Sequence, residues 1–203
     1  MKASTLDQVF EILNDEHHYL NLVKTRVCKI TLGSSIIRAF ASGTKLELLN
    51  GLNNIETDDI LQLTSQEKYN KWHRKKINNV YNLLKKVDSN IIKHSKIGLK
   101  WGHATKIWNI YIGLLIFYSP YFKPSTDLEN VKHFLHIPLD KKAFSELRSC
   151  GIKDTPKTIK SVTEKKYYQL QKLVKESAAK GKLPPFYFDE YAWSPDKLDK
   201  IFI

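Results

Sequence analysis

The chain has 203 residues, 42% of them apolar, which allows one compact body with a sizeable core or two small lobes sharing a cleft. Lys and Arg number 33 against 21 Asp and Glu, a formal net charge of +12 that favours a polyanionic partner, either nucleic acid or an acidic membrane surface. The longest apolar run, residues 110–118, is about half of what a bilayer span needs, and Asp7 and Glu11 interrupt the apolar core a signal peptide would require, so no membrane association and a cytoplasmic location are expected. Cys28 and Cys150 are too few for a disulfide framework or a thiolate metal site; two reduced thiols, no metal and no cofactor are expected.

Residues 5–22 read as a first helix, capped by Ser4 or Thr5, with Val9, Phe10, Leu13, Tyr19 and Leu20 at its apolar positions. Residues 24–41 are ambiguous: VCKITL has the composition of a strand and SSIIRAFAS that of a helix, with Gly33 and Gly43 as punctuation. A long amphipathic helix is predicted over 65–87, with Tyr69, Trp72, Val80, Leu83, Leu84 and Val87 as its apolar stripe. Asp88-Ser89-Asn90 signals a stop, a short helix runs to about 96, and a turn covers 97–102.

Residues 103–118 form the most apolar helix, apolar nearly all round and therefore central; Ser119-Pro120 ends it. A short amphipathic helix follows at 126–134. His136-Ile137-Pro138-Leu139-Asp140 then leads into a helix that Gly151 stops. A last long helix is predicted over 158–180, with Val162, Leu170, Leu173 and Val174 on one face. The aromatic C-terminal segment is too apolar to hang free and should pack back on the body, with the first helix as one candidate surface. The fold class is mainly α.

Between Lys68 and Trp108 there are eleven Lys or Arg and one acid, Asp88, interleaved with Tyr69, Trp72, Tyr81, Trp101 and Trp108. That mixture suits phosphate contacts combined with base stacking, although a solvated basic face has the same composition. Within it, Lys106 stands among Ile107, Trp108, Ile110, Tyr111 and Ile112. An amine there can snorkel to water, pair with an acid, or sit in a cleft as a desolvated nucleophile. Asp140 reads first as an N-cap accepting from the amides of Lys142 or Ala143. The same backbone groups would hold it rigid and ionised, as an anion stabilising a cationic sugar must be. His133 and His136 have a metal-like spacing, but no further ligand set accompanies them.

A glycine-containing turn, a buried helix with a lysine near its start, and apolar-Pro-Leu-Asp opening the next helix resemble the helix-hairpin-helix (HhH-GPD) DNA glycosylase superfamily. The match runs over residues 97–147. The length of the 118–136 insert, and Asp189-Glu190-Tyr191-Ala192-Trp193 near the C-terminus, look closest to the archaeal 8-oxoguanine DNA glycosylase branch. The family hairpin usually reads Leu-Pro-Gly-Val-Gly with its last glycine two before the lysine. Here Leu99-Lys100-Trp101-Gly102 lacks the Pro-Gly-Val part, and Gly102 is four before Lys106. No cysteine cluster is present to match the iron–sulfur members.

The resemblance implies a two-lobed helical glycosylase fold with an active-site cleft between the lobes. The central lobe would span about 55–150 with the hairpin-helix at 91–118, and 1–54 and 151–203 would pack together as the second lobe of a single unit. It implies Lys106 and Asp140 as catalytic residues and a base pocket formed from His136, Trp193, Asp189, Trp72 and Asn109, with Phe188 a further stacking candidate. Lys93, Lys96, Lys100, Gly102, His103, Lys141 and Lys142 would bind the DNA backbone. The implied partner is double-stranded DNA with the target nucleotide flipped out, engaged by a monomer. The implied activity is excision of a damaged or modified base, with strand nicking if Lys106 is the nucleophile. Oxidised guanine is one candidate, and a hypermodified base such as a modified cytosine of phage DNA, removed as antiviral defence, is another. A non-catalytic DNA- or RNA-binding module and a nuclease are the competing expectations.

Overall fold

A computed structural model describes residues 14–33, 44–91 and 101–193. About three quarters of them are helical, and none lies in a strand. In chain order the helices are α1 (Glu16–Gly33), α2 (Thr44–Asn53), α3 (Gln66–Ile91), α4 (Trp101–Phe117), α5 (Thr126–Phe134), α6 (Lys141–Ser149), α7 (Glu164–Lys180) and α8 (Tyr187–Trp193). Short 3-10 turns at Asp58–Gln62 and Ile159–Ser161 precede α3 and α7.

The ambiguity over 24–41 resolves to helix as far as Gly33. Val27, Cys28, Thr31 and Leu32 recur at one- and four-residue intervals on one buried face, so packing overrides the β-branched composition. The expected helix at 5–22 is described only from its second half, where it forms part of α1; residues 5–13, and the short helix expected before 96, lie outside the described residues.

Helix α3 starts where Ser65 Oγ accepts from the Lys68 amide (3.3 Å). Its buried stripe is Tyr69, Trp72, His73, Lys76, Ile77, Val80, Leu84 and Val87, at alternating three- and four-residue steps with neighbouring pairs at 72–73 and 76–77. Two members of that stripe are polar, which the apolar pattern alone does not reveal. Helix α4 is buried at most of its positions, Trp108 and Tyr111 completely. It packs on α1 and α3 on one side and on the Ile159–Ser161 turn and α7 on the other. Gly102 permits the contact with that turn: a Cβ there would come within 2.2 Å of the Ile159 carbonyl oxygen. Gly113 permits another, because Phe186 lies where its Cβ would be, stacked on Phe117.

The core has two clusters that follow chain order. The first gathers α1, α2, α3, α4 and α5 around Trp72, Trp108, Tyr111 and Leu115; the second gathers Ile137, Leu139, Phe144, Leu147, Tyr167, Leu170 and Val174. Trp101 packs against both. The described helices between residues 16 and 53 belong with the first cluster, and the described part of the C-terminal segment packs on α4 and α6. The last long helix begins at Glu164 rather than 158, because Ile159–Ser161 turns separately to dock on α4, and Thr163 caps α7 through the Lys166 amide (3.2 Å).

Residues 135–140 connect the clusters as a buried, non-helical strap. A buried backbone without ladder partners needs side chains to satisfy it. Gln171 does this with both ends of its amide: Oε1 accepts from the Ile137 N–H (2.9 Å), and Nε2 donates to the Ile137 carbonyl (2.8 Å). Asn109 Nδ2 donates to the same carbonyl (2.8 Å). The strap is therefore fixed against α4 and α7, and it delivers Asp140 to the start of α6.

Candidate active site

Asp140 is the N-cap of α6. Its Oδ1 accepts from the amides of Lys142 (2.9 Å) and Ala143 (3.1 Å), the local role the sequence predicts. Its Oδ2 lies 3.1 Å from Lys106 Nζ, and the two side chains are only 7% and 8% exposed. Lys106 thus takes the second of its three options: it pairs with an acid rather than snorkelling to water. Thirty-four residues separate the partners, and they meet because α4 and the strap are locked together through Asn109 and Ile137. The N-cap also accounts for the extended backbone at Asp140, which turns its carboxylate toward α4.

A third ionisable group faces this pair. Helix α8 packs on α6 and carries Asp189, whose Oδ1 is buried without a hydrogen-bond partner. Burial pushes the Asp189 carboxyl up to about 7, the negative charges of Asp140 and Glu190 add to the effect, and the Lys106 ammonium opposes it. A carboxyl raised this far is suited to exchanging a proton near neutral pH, within reach of the charges of Asp140 and Lys106. Around it α8 exposes Tyr187, Tyr191 and Trp193, the last 55% exposed. Tyr118 donates its hydroxyl to Glu190 Oε1 at 2.5 Å, which ties α8 to the end of α4.

The remaining expected site residues separate into three groups. Asp189, the third ionisable group, and the exposed Trp193 lie on α8, and Lys141 and Lys142 are exposed on the first turn of α6, next to Asp140. Trp72, Asn109 and His136 do not line an open base pocket with Lys106. Trp72 is wedged between Tyr69 and Trp108 with Lys76 over its ring, and Asn109 is wholly buried with its amide saturated. His136 is buried and contacts Tyr69, His73 and Tyr167. The apolar surroundings that drew attention to these side chains are the core itself. Gly102 and His103 are likewise buried, Gly102 against Ile159 and Val162. Lys93, Lys96 and Lys100 lie outside the described residues. His133 is exposed and His136 buried, so their spacing does not make them converge, and no group of His, Cys, Asp and Glu among the described residues could hold a metal.

Behind the ion pair, Asn109 anchors a buried polar network that the sequence does not announce. Its Nδ2 must donate, because the Ile137 carbonyl can only accept. Its Oδ1 therefore accepts from His73 Nε2 (2.7 Å). Tyr167 Oη accepts from Asn109 Nδ2 (2.9 Å) and lies 2.9 Å from His136 Nδ1. Both histidines are held neutral: burial drives His73 down to about 3 and His136 well below its ordinary value. The network joins α3, α4, the strap and α7, and so sets the geometry of Lys106 and Asp140 from behind. Its one signal in the sequence is Gln171, a polar residue between Leu170 and Val174 on the apolar face of α7.

Comparison with family models, with curated proteins and with solved structures finds no match for this chain. No helix among the described residues is long and apolar enough to cross a membrane.

Proposed function

We propose that this protein is a DNA glycosylase that flips out and excises a damaged or modified base. The observation that carries this reading is the buried Lys106–Asp140 pair, with Asp140 clamped by the α6 N-terminus and Asp189 titrating near 7 beside it. In this reading the fold is the two-lobed helix-hairpin-helix type, acting as a cytoplasmic monomer on double-stranded DNA, with Lys141 and Lys142 contacting phosphates beside the flipped nucleotide.

The chemistry follows from these three groups. The Lys106 ammonium first passes a proton to Asp189, which is poised to accept it. As the N-glycosidic bond lengthens, positive charge develops on the sugar, and the fixed Asp140 carboxylate stabilises it. The free amine of Lys106 attacks C1′ while the bonding electron pair leaves with the base. Asp189 returns its proton to the departing base, which balances the step. Opening of the sugar ring gives a Schiff base, from which β-elimination nicks the strand. If water replaces the amine at C1′, the product is an abasic site. The exposed Tyr187, Tyr191 and Trp193 offer stacking surfaces that offset part of the flipping cost.

The substrate is a base whose removal is needed rather than routine: an oxidised guanine, or a hypermodified cytosine of phage DNA removed as a defence. The test is base release. DNAs of different modification status are incubated with the protein, and free bases are separated chromatographically. The reading predicts release from at least one modified DNA and loss of at least a thousandfold in Asp140→Asn. Release that persists unchanged in both Lys106→Gln and Asp140→Asn would place the chemistry elsewhere. Retention of DNA binding with no release from any substrate would favour a non-catalytic module, for which the basic, aromatic span of 68–108 is sufficient.

A further inference from the structure

A partly buried lysine lies outside this site. Lys175 on α7 donates to the Phe134 carbonyl and lies 5.1 Å from the centre of the Tyr69 ring, at the edge of a cavity of about 530 Å³ between α3 and α7. That volume falls in the range of about 300–1,000 Å³ typical of ligand pockets. The cavity is rich in donors. Asn70 lends its Oδ1 to Gln66 Nε2 (2.9 Å), leaving its own N–H groups uncommitted. The Tyr168 hydroxyl is buried beside the Arg74 guanidinium. His136 gains a hydrogen bond to Tyr167 through Nδ1, and Lys172 adds a second ammonium. Among the described residues the one carboxylate lining the cavity is Glu176, 3.7 Å from Lys172. Donors thus converge from α3, the strap and α7 with little negative charge to meet them.

We propose that this cavity binds a phosphoryl oxyanion, with Lys175 as its principal cation and Asn70, Tyr168, His136 and Lys172 as further donors. A tetrahedral anion accepts from several directions at once, which matches donors arriving from three elements. The anion can be a free phosphate or mononucleotide, or a phosphate of a bound DNA strand, and the site stands whether or not Lys106 is catalytic.

Proton linkage supplies a signature. Burial holds the Lys175 amine down at about 6, and the groups facing it do not relieve this: Tyr69 gives a ring face, Phe134 a carbonyl, and His73 and His136 are neutral. Lys172 and Glu176 are engaged with each other. A bound anion raises the amine's affinity for its proton, so binding above pH 6 takes up a proton and weakens as pH rises.

Titration calorimetry of the full chain with inorganic phosphate and with dAMP, at pH 7.5 in two buffers of different ionisation enthalpy, tests the site. The expected result is binding with proton uptake, weakened at least tenfold in Lys175→Met and unchanged in Lys106→Gln. Lys175→Arg keeps a charge at every accessible pH and should bind with the uptake abolished. It also guards against misfolding of the Met variant, which circular dichroism would reveal. Displacement of phosphate by a short DNA duplex assigns the anion to a DNA strand, and failure to displace it assigns a free ligand. Equal affinity in wild type, Lys175→Met and Lys175→Arg, or no binding of either probe, overturns the proposal.

Discussion

Removing the negative charge of Asp140 while keeping its shape isolates the central ion pair. Asp140→Asn retains Oδ1, which accepts from Lys142 and Ala143, but leaves the Lys106 ammonium buried without a counter-charge. Coulomb's law at 3.1 Å with an effective dielectric of about 20 gives about 5 kcal/mol for the lost attraction. Removing one partner of a buried pair costs about 3–5 kcal/mol, because the survivor keeps its desolvation penalty. Lys106→Met should cost less, about 1–3 kcal/mol, because Asp140 still holds two backbone N–H groups at the helix start. The double variant removes both charges and should recover much of the loss. Urea unfolding of the four proteins measures the coupling directly, with an expected value of about 2–4 kcal/mol. A coupling below about 0.5 kcal/mol would show that the pair is solvated, and the reasoning about a fixed buried anion would fail.

Asp189 makes stability depend on pH. Its carboxyl is raised in the folded protein to about 7, so the folded state binds the proton more tightly than the unfolded chain does between about pH 4 and 7. Stability from this group is full below pH 4 and is lost as pH rises through 7. Asp189→Asn should flatten that decline and leave the variant on the order of 2 kcal/mol more stable than wild type at pH 8, read by urea unfolding across pH. Gly102→Ala, normally a gain of about 0.5–1 kcal/mol within a helix, should instead destabilise by about 1–3 kcal/mol because its Cβ meets the Ile159 carbonyl at 2.2 Å; thermal melts show the sign. Gln171→Leu strips the Ile137 N–H of its partner and takes one of two donors from its carbonyl. It should cost about 2–4 kcal/mol in chemical unfolding, and it should lower any activity that depends on the placement of Asp140.

What the sequence discloses is local. Asp140 marks a helix start because capping involves only the next three residues, and α6 begins where it predicts. The stop at Gly151 is equally local, its φ of 85° being one that favours glycine. Lys106 and Asp140 are recognisable because a charge in an apolar helix and a proline-set acid each pose a local question, though only the fold shows that they answer one another. That Trp72, Asn109 and His136 do not surround Lys106 is not legible locally, because aromatic and polar residues near a lysine look the same in a core as in a cleft. Trp72 stacks in the first core cluster, and the other two complete hydrogen bonds to residues 28 to 58 positions away. The His73–Asn109–Tyr167 network is illegible in the sequence for the same reason, with His73 and Tyr167 94 positions apart. The strand-like VCKITL became helix because tertiary burial of Val27, Cys28 and Leu32 outweighed intrinsic preference.

The most direct measurement of the central claim is borohydride trapping on DNA from which the protein releases a base, followed by mass spectrometry of the adduct. The account predicts a covalent protein–DNA species attached at Lys106, absent from Lys106→Gln and strongly reduced in Asp140→Asn. An adduct that maps to another lysine, or that survives in Lys106→Gln, would contradict it.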